Sequence, residues 1–233
     1  MNAAGFEGFY KQTLDFFAQL TRNNTKQWFD SRRDDYENYV LKPSRSFVLA
    51  LGDKLIKVAP GVQADPRVNK SMFRINRDTR FSHDKTPYKT HLGLWFWDGP
   101  GKRMENSGFY FQLDPEGIML GTGLYCFTRD QLDPYRQSVV DPKHGPALQR
   151  AVDKVRKAGL EIGGRFYKKT PRGYDPKHKN AELLLHNGLF AGYRTAPPPK
   201  ELYSDKLVDY CLDVYKKTLP LHQWLLALTE RAG

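Results

Sequence analysis

The spacing of apolar residues changes twice along this chain, and that change limits the folds open to it. Phe6, Phe9, Tyr10, Leu14, Phe17 and Leu20 recur every three or four residues, the period of one helix face. Asn23 and Asn24 end that run, and Thr25 can cap a second helix carrying Trp28, Phe29, Tyr36, Tyr39 and Val40. Pro43 opens a third helix with Phe47, Val48, Leu51 and Leu55 inward, and Pro60-Gly61 closes it. The character then becomes β-like, first over Ser71 to Asn76 and then over the aromatic stretch from His91 to Trp97. Ser107 to Leu113 and Ile118 to Phe127 flank the turn residues Asp114-Pro115-Glu116-Gly117, which reads as a β-hairpin. Gly121 and Gly123 inside its second strand mark a bulge or the close approach of another backbone.

Helical spacing returns after Thr128, with Leu132, Tyr135 and Val139 inward, and again from Pro146 through Leu148, Val152 and Val155 to Gly159. Leu160 to Tyr167 and Leu189 to Arg194 read as strands, with a short helix over Asn180 to His186 between them. Pro197-Pro198-Pro199 is a stiff break. Ser204 then caps a helix carrying Leu207, Tyr210, Cys211, Val214 and Tyr215, and Pro220 starts a last one through Trp224, Leu225 and Leu228. Trp28, Trp95, Trp97 and Trp224 read as core. The order predicts an α+β fold with N-terminal helices, a central mostly antiparallel sheet and C-terminal helices. No repeat or low-complexity tract interrupts it, so the reading is one domain over residues 1–233.

A chain of this length can bury about 70–75% of its unfolded surface, enough to fold without a disulfide or metal. Its two cysteines, Cys126 and Cys211, both lie among apolar neighbours and exclude a disulfide framework or a thiolate zinc site. They fit a reducing compartment, and the expected location is the cytoplasm. The longest apolar runs, such as that around Leu225, fall far short of the roughly 20 residues that span a bilayer. No apolar stretch follows a basic start, so neither a secretory signal nor a membrane partner is expected.

The formal net charge is +11, and its placement matters more than its size. Between Lys70 and His91, six cations (Lys70, Arg74, Arg77, Arg80, Lys85 and Lys89) face two carboxylates, Asp78 and Asp84. Between Arg165 and Lys179, Arg165, Lys168, Lys169, Arg172, Lys177 and Lys179 face Asp175 alone. These two segments hold nearly all of the excess charge, a pattern that suits an anionic partner better than a general solubility surface.

The densest stretch reads SMFRINRDTRFSHDKTPYKTHLGLWF from Ser71 to Phe96, and an earlier stretch reads LTRNNTKQWFDSRRDDY from Leu20 to Tyr36. With the later GFYFQLDPEGIMLGTGLY and TPRGYDPKHKNAELL stretches, these residues resemble a widespread family of conserved hypothetical proteins. It is numbered two thousand four hundred and sixty-one among the domains of unknown function. The resemblance covers nearly the whole chain. It implies a soluble single-domain protein of mostly bacterial and fungal occurrence, and it supplies no catalytic residue to carry over.

The residues themselves supply candidates. Arg74, Arg77 and Arg80 are three apart, which aligns them on one face if the stretch is helical; in a strand followed by a loop, Arg74 stands apart while Arg77 and Arg80 can converge. Arginine offers phosphate or carboxylate a planar fork, Lys85 and Lys89 add point charges, and Thr86-Pro87 presents Tyr88 and Lys89 from a turn. Arg172 and Tyr174, in the turn-rich Pro171 to Pro176 loop, can close over the same ligand. The anion site so defined is Arg74, Arg77, Arg80, Lys85, Tyr88, Lys89, Arg172 and Tyr174, for a phosphorylated or other anionic small molecule, whether bound or turned over. The alternative is a nucleic-acid surface using Phe166 and Tyr167 for stacking. The blander readings are internal pairing of Asp78 and Asp84 with the arginines, a strand burying Phe166, and a purely structural or protein-interaction role. Asp78, His83, Asp84 and His91 match no metal motif, and His91 reads as a core-edge histidine. His83, His91 and His186 are acid–base candidates by type only, and no nucleophile elbow, P-loop or dinucleotide fingerprint is present. No metal, cofactor or catalytic residue is therefore assigned.

Overall fold

A computed structural model describes residues 5–100 and 102–232. Helix α1 spans Lys11–Arg22, α2 Lys26–Ser31 and α3 Arg33–Asp35; a π-helical turn over Tyr36–Leu41 leads into α4, Lys42–Leu55. Strand β1 is Val62–Gln63, β2 Leu92–Asp98, β3 Gly108–Asp114 and β4 Gly117–Leu124. Helices α5 (Arg129–Val140) and α6 (His144–Lys157) follow, then β5 (Glu161–Arg165), β6 (His186–Thr195) and the long α7 (Lys206–Ala232). Short 3-10 turns occupy Arg103–Glu105, Ala181–Leu185 and Lys200–Tyr203. The six strands form one antiparallel sheet in the order β1-β2-β3-β4-β6-β5, so the fold is α+β.

The caps explain several boundaries. The Thr25 hydroxyl accepts the Trp28 N–H at 3.2 Å and starts α2. At α5, Thr128 and Gln131 cap one another reciprocally, with side chain to backbone bonds of 3.2 and 3.1 Å. The first helix begins later than the apolar spacing suggests. Gly8 lies at φ +116°, a left-handed conformation that stops α1 from extending back to Phe6. The rings of Phe6 and Phe9 are nonetheless buried, from an extended segment whose Phe9 N–H donates to the Leu202 carbonyl at 2.8 Å.

The expected helix start at Pro220 is corrected: Pro220 lies inside α7, which runs unbroken for 27 residues. The ring removes one backbone donor, but Val214, Tyr215, Thr218, Leu221, Leu225 and Leu228 bury a continuous stripe on both sides of it. The Thr218 hydroxyl donates to the Tyr215 carbonyl at 2.7 Å, satisfying one acceptor next to the interruption. The stretch from Ser71 to Asn76 makes isolated bridges, Met72 with Leu94 and Asn76 with Tyr88, rather than a full strand.

By contacts the chain divides into two compact units, each drawn from three segments. The first comprises Met1–Phe96, Tyr110–Leu120 and Arg194–Asp213; the second comprises Trp97–Phe109, Gly121–Tyr193 and Val214–Gly233. In the first, the rings of Phe9, Phe47 and Phe111 meet with centroids 4.8 to 6.0 Å apart. Leu20, Leu51 and Leu55 are fully buried in the same unit. In the second, Tyr135 stacks on Phe127 at 4.4 Å and meets Trp224 edge-on at 6.1 Å, while its hydroxyl donates to the Leu183 carbonyl at 2.8 Å. Trp95 and Trp224 are buried as expected, whereas Trp28 and Trp97 are only half-buried. Cys211 is buried but Cys126 is exposed, a correction to its expected apolar surroundings. It follows Leu124 at the end of β4, where the chain leaves the sheet.

Gly123 confirms the close approach expected in the second strand of the hairpin. Its φ is +136°, and an added Cβ would overlap the Leu189 carbonyl oxygen of β6. Gly123→Ala should therefore destabilise the protein by about 2–4 kcal/mol, combining backbone strain with overpacking. Chemical denaturation of the variant beside wild type measures this directly; a loss under 1 kcal/mol would mean that β6 moves away from β4 at little cost.

Candidate functional site

The first basic segment folds back on itself. The Arg77 N–H donates to the Pro87 carbonyl at 2.9 Å and the Lys89 N–H to the Ile75 carbonyl at 2.8 Å, with Asn76 bridged to Tyr88 between them. Residues 74–77 and 86–89 therefore form a short antiparallel ladder, and residues 78–85 project from it as a loop. Alternation follows: Ile75 and Tyr88 are buried, while Arg74 and Asn76 are exposed. Tyr88 stacks on Phe29 at 4.3 Å and an interplanar angle of 23°. Its backbone is gripped by Asn24, whose Nδ2 donates to the Tyr88 carbonyl at 2.9 Å and whose Oδ1 accepts the Tyr88 N–H at 3.0 Å. The sequence reading made Asn24 a helix terminus and missed this lock, because its partner lies 64 residues away.

The arginines of this segment do not share a helix face, and each turns to its own carboxylate. Arg77 Nη1 donates to Asp84 Oδ2 at 2.5 Å, to the Thr86 carbonyl at 3.2 Å, and to the Thr86 hydroxyl. Arg80 grips Asp78 with two parallel bonds, Nε to Oδ1 at 2.9 Å and Nη2 to Oδ2 at 2.7 Å. The Arg80 side-chain bond to Asp78, and the backbone and side-chain bonds from Thr86 to Asp84, hold both carboxyls down at about 2. Lys85 Nζ donates to the Thr79 carbonyl at 2.9 Å and Lys89 Nζ to the Arg74 carbonyl at 2.7 Å. Arg74 itself is exposed, and its charge reaches Asp78. At the loop tip Phe81 is 94% exposed, with the Arg80 guanidinium 5.7 Å from its ring centre.

The second basic segment lies in the other compact unit. Arg165 pairs with Glu182 at 3.2 Å, and Arg172 is exposed. Phe166 is 67% exposed and Tyr167 half-buried, which overturns the reading of a strand that buries Phe166. The reason is register: β5 ends at Arg165, and the Phe166 and Tyr167 N–H groups both turn to the Leu185 carbonyl at 2.9 Å. Tyr167 instead lies under Arg136 of α5, whose guanidinium carbon is 5.0 Å from the ring centre. Tyr174 is close enough to α5 for the charges of Asp133 and Arg136 both to act on its hydroxyl. Arg136 was not foreseen, since an isolated arginine on an amphipathic helix gives no sequence signal.

Other chemistry-bearing groups sit elsewhere. His91 lines a cavity of about 450 Å³ in the first unit with Arg22, Gln112, Asp114 and Glu116. Asp114 is fully engaged there: Arg194 donates to it at 3.1 and 3.2 Å, Gln112 at 3.0 Å, and the Glu116 and Gly117 N–H groups at 3.0 and 3.1 Å. A smaller cavity, also in that unit, has Phe16, Trp28 and Tyr39 on its walls together with Asp15 and Asp35. In the second unit, His222 Nδ1 lies 2.8 Å from Ser107 Oγ and its Nε2 2.9 Å from Asp98 Oδ2. That composition suggests nucleophilic catalysis, but Ser107, His222 and Asp98 are 0%, 1% and 5% exposed. No substrate reaches a serine so enclosed, and the three groups act as a buried polar pin. Among the described residues no three of His, Cys, Asp or Glu come together to hold a metal ion.

Two expectations follow. Asn24→Ala removes both bonds to the Tyr88 backbone and should cost about 1–3 kcal/mol in urea unfolding, with the hairpin amides losing hydrogen-exchange protection first. Burial lowers the imidazole pKa of His91 and of His186. The unfolded chain thus takes up protons near the ordinary value of about 6.5 while the folded one resists. Stability should accordingly fall as pH drops from about 7 toward 5, and a melting series on His186→Gln should show a shallower fall.

Neither a curated protein nor a solved structure matches the chain. Residues 12–224 match the model of a family of conserved hypothetical proteins, DUF2461. Both basic segments and the Asn24 lock fall inside that match, and the chain belongs to this family.

Proposed function

We propose that this protein binds an anionic partner through the hairpin of its first basic segment, and that the partner is single-stranded nucleic acid. The observation that carries the reading is Phe81, an aromatic ring 94% exposed at the tip of a basic loop, with the Arg80 guanidinium 5.7 Å from its centre. An exposed aromatic flanked by cations offers a base a stacking face and its phosphates a counter-charge. The second segment repeats the combination, with Phe166 exposed beside Arg165, Lys168 and Lys169. Neither cavity described above takes its lining from Arg74, Arg77, Arg80, Lys85 or Lys89, which favours an open strand over an enclosed small molecule. A small phosphorylated ligand is the second reading, and the guanidinium of Arg136 favours it.

The cysteines, both unpaired, support a reducing compartment such as the cytoplasm, and no described helix is long and apolar enough to cross a membrane. The divisions between the compact units fall within β2, β3, β4, β6 and α7 rather than in loops, which supports one cooperative domain.

Fluorescence anisotropy with a labelled single-stranded oligonucleotide tests the nucleic-acid reading. Affinity should fall steeply between about 50 and about 200 mM salt as condensed counterions are released. Phe81→Ala should weaken binding by about 1–3 kcal/mol, the worth of one stacked base. Absence of binding at low salt, or an unchanged affinity in Phe81→Ala, would exclude the hairpin as the binding surface.

A further inference from the structure

We propose that Arg136, with Tyr167 and Tyr174, forms a receptor for the phosphate group of a small phosphomonoester. The inference develops the phosphorylated-ligand reading and is independent of the hairpin.

It rests on unspent hydrogen-bonding capacity. A guanidinium carries five N–H donors, and burying one without acceptors is costly. The Arg136 side chain is only 16% exposed, yet it makes no hydrogen bond among the described residues. Its Nε is buried and unpartnered. Its one carboxylate neighbour, Asp133, stands 3.7 Å away, beyond hydrogen-bonding distance, and is itself 78% exposed to water. Arg77 and Arg80 differ, since each holds a carboxylate directly: Arg77 Nη1 bonds Asp84 and Thr86, and Arg80 Nε and Nη2 bond Asp78.

Position completes the argument. The Tyr167 ring, 5.0 Å from the guanidinium carbon, holds Arg136 by its face and leaves the N–H edges unused. Neither the Tyr167 nor the Tyr174 hydroxyl bonds a described residue; the Tyr167 ring lies against Arg136, and the Arg136 charge acts on the Tyr174 hydroxyl, which leaves two neutral donors near the cation. The loop that carries Tyr174 brings Lys168, Lys169 and Arg172 in the same stretch of chain, all exposed. A planar fork with tyrosyl donors and a surrounding positive field suits a compact doubly charged tetrahedral oxyanion better than a singly charged diester in a polymer. Binding replaces the long Asp133 contact with direct charge-assisted bonds. The terminal guanidinium nitrogens are the part of the side chain that a ligand meets first, because Nε is the buried atom.

The test is calorimetric titration of the full chain with inorganic phosphate, with phenyl phosphate as the monoester and with a short unphosphorylated oligonucleotide as the diester. Arg136→Lys keeps the charge and most of the stem but removes the fork, and should weaken phenyl phosphate binding at least tenfold while the fold is retained by circular dichroism. Tyr167→Phe and Tyr174→Phe should each weaken it by a smaller factor, and Asp133→Asn should strengthen it. Equal affinity of wild type and Arg136→Lys for phenyl phosphate, or no binding to wild type by either phosphate probe, would overturn the proposal. So would loss confined to a Lys168→Ala, Lys169→Ala double variant, which would mark diffuse attraction instead of a built receptor. Phe81→Ala, carried in parallel, should leave the phosphate affinities unchanged. Failure of the hairpin reading and failure of this one are thereby seen separately.

Discussion

The contact at Gly123 is the constraint on which the second half of the fold depends. Strand β6 lies between β4 and β5 in the sheet, although α5, α6 and β5 all precede it in sequence. It reaches its place only because Gly123 of β4 has no side chain where the Leu189 carbonyl passes. Once β6 is seated, β5 pairs with it antiparallel, with Glu161 opposite Gly192 and Arg165 opposite His186. The register shift between Gly163 and Arg165 ends the regular ladder and turns Phe166 outward. An exposed aromatic beside a basic run thus follows from a backbone approach far from it in sequence. This is a long-range pairing, and it carries the loop-closure cost that such pairings bring.

Polar groups then hold the packed elements in specific places. The Asn24 amide matches both backbone groups of Tyr88, so the basic hairpin is fixed at its root while its tip stays open. The pin of Ser107, His222 and Asp98 does comparable work inside the second unit, tying α7 to the end of β2 and the start of β3. Its composition invites a catalytic interpretation that its burial removes. Chemistry is decided by which atoms a substrate can reach, and here exposure separates a positioning device from a site more firmly than residue type does.

The helices, the sheet and the hairpin around Asp114 to Gly117 were legible because they depend on local periodicity and turn chemistry. Thr25 and Thr128 announce their helices by the same logic. Pro220 misled because the rule against proline in helices is local, while the stripe from Val214 to Leu228 that overrides it is a matter of tertiary burial. Gly8 gave no warning of a delayed α1, since the apolar spacing of Phe6 and Phe9 is shared by a helix and by an extended arm packed on a helix. For the candidate site, the charge runs were visible, and so was pairing of Asp78 and Asp84 with two of the arginines, which the structure bears out; which carboxylate takes Arg77 was not. Asp78 and Asp84 were credible partners for any of three arginines, and only the loop geometry assigns Asp78 to Arg80 and Asp84 to Arg77.

That assignment separates net charge from usable charge. The first segment carries three arginines, two of which pair with neighbouring carboxylates; what it offers a partner is a partly neutralised loop with a bare aromatic tip. The second segment sets Tyr167 against Arg136, which lies outside any basic run and keeps only a long ion pair with Asp133, with its Nε unpartnered. A charge count along the chain ranks the first segment with the second and does not register Arg136 at all. Counting donors that lack acceptors reverses the order for a compact anion, because a buried guanidinium gains more from an oxyanion than an exposed, already paired one does. The anions accordingly divide between the two proposed sites: an open strand for the hairpin, a discrete phosphate for Arg136 on α5 with the tyrosines of the second segment.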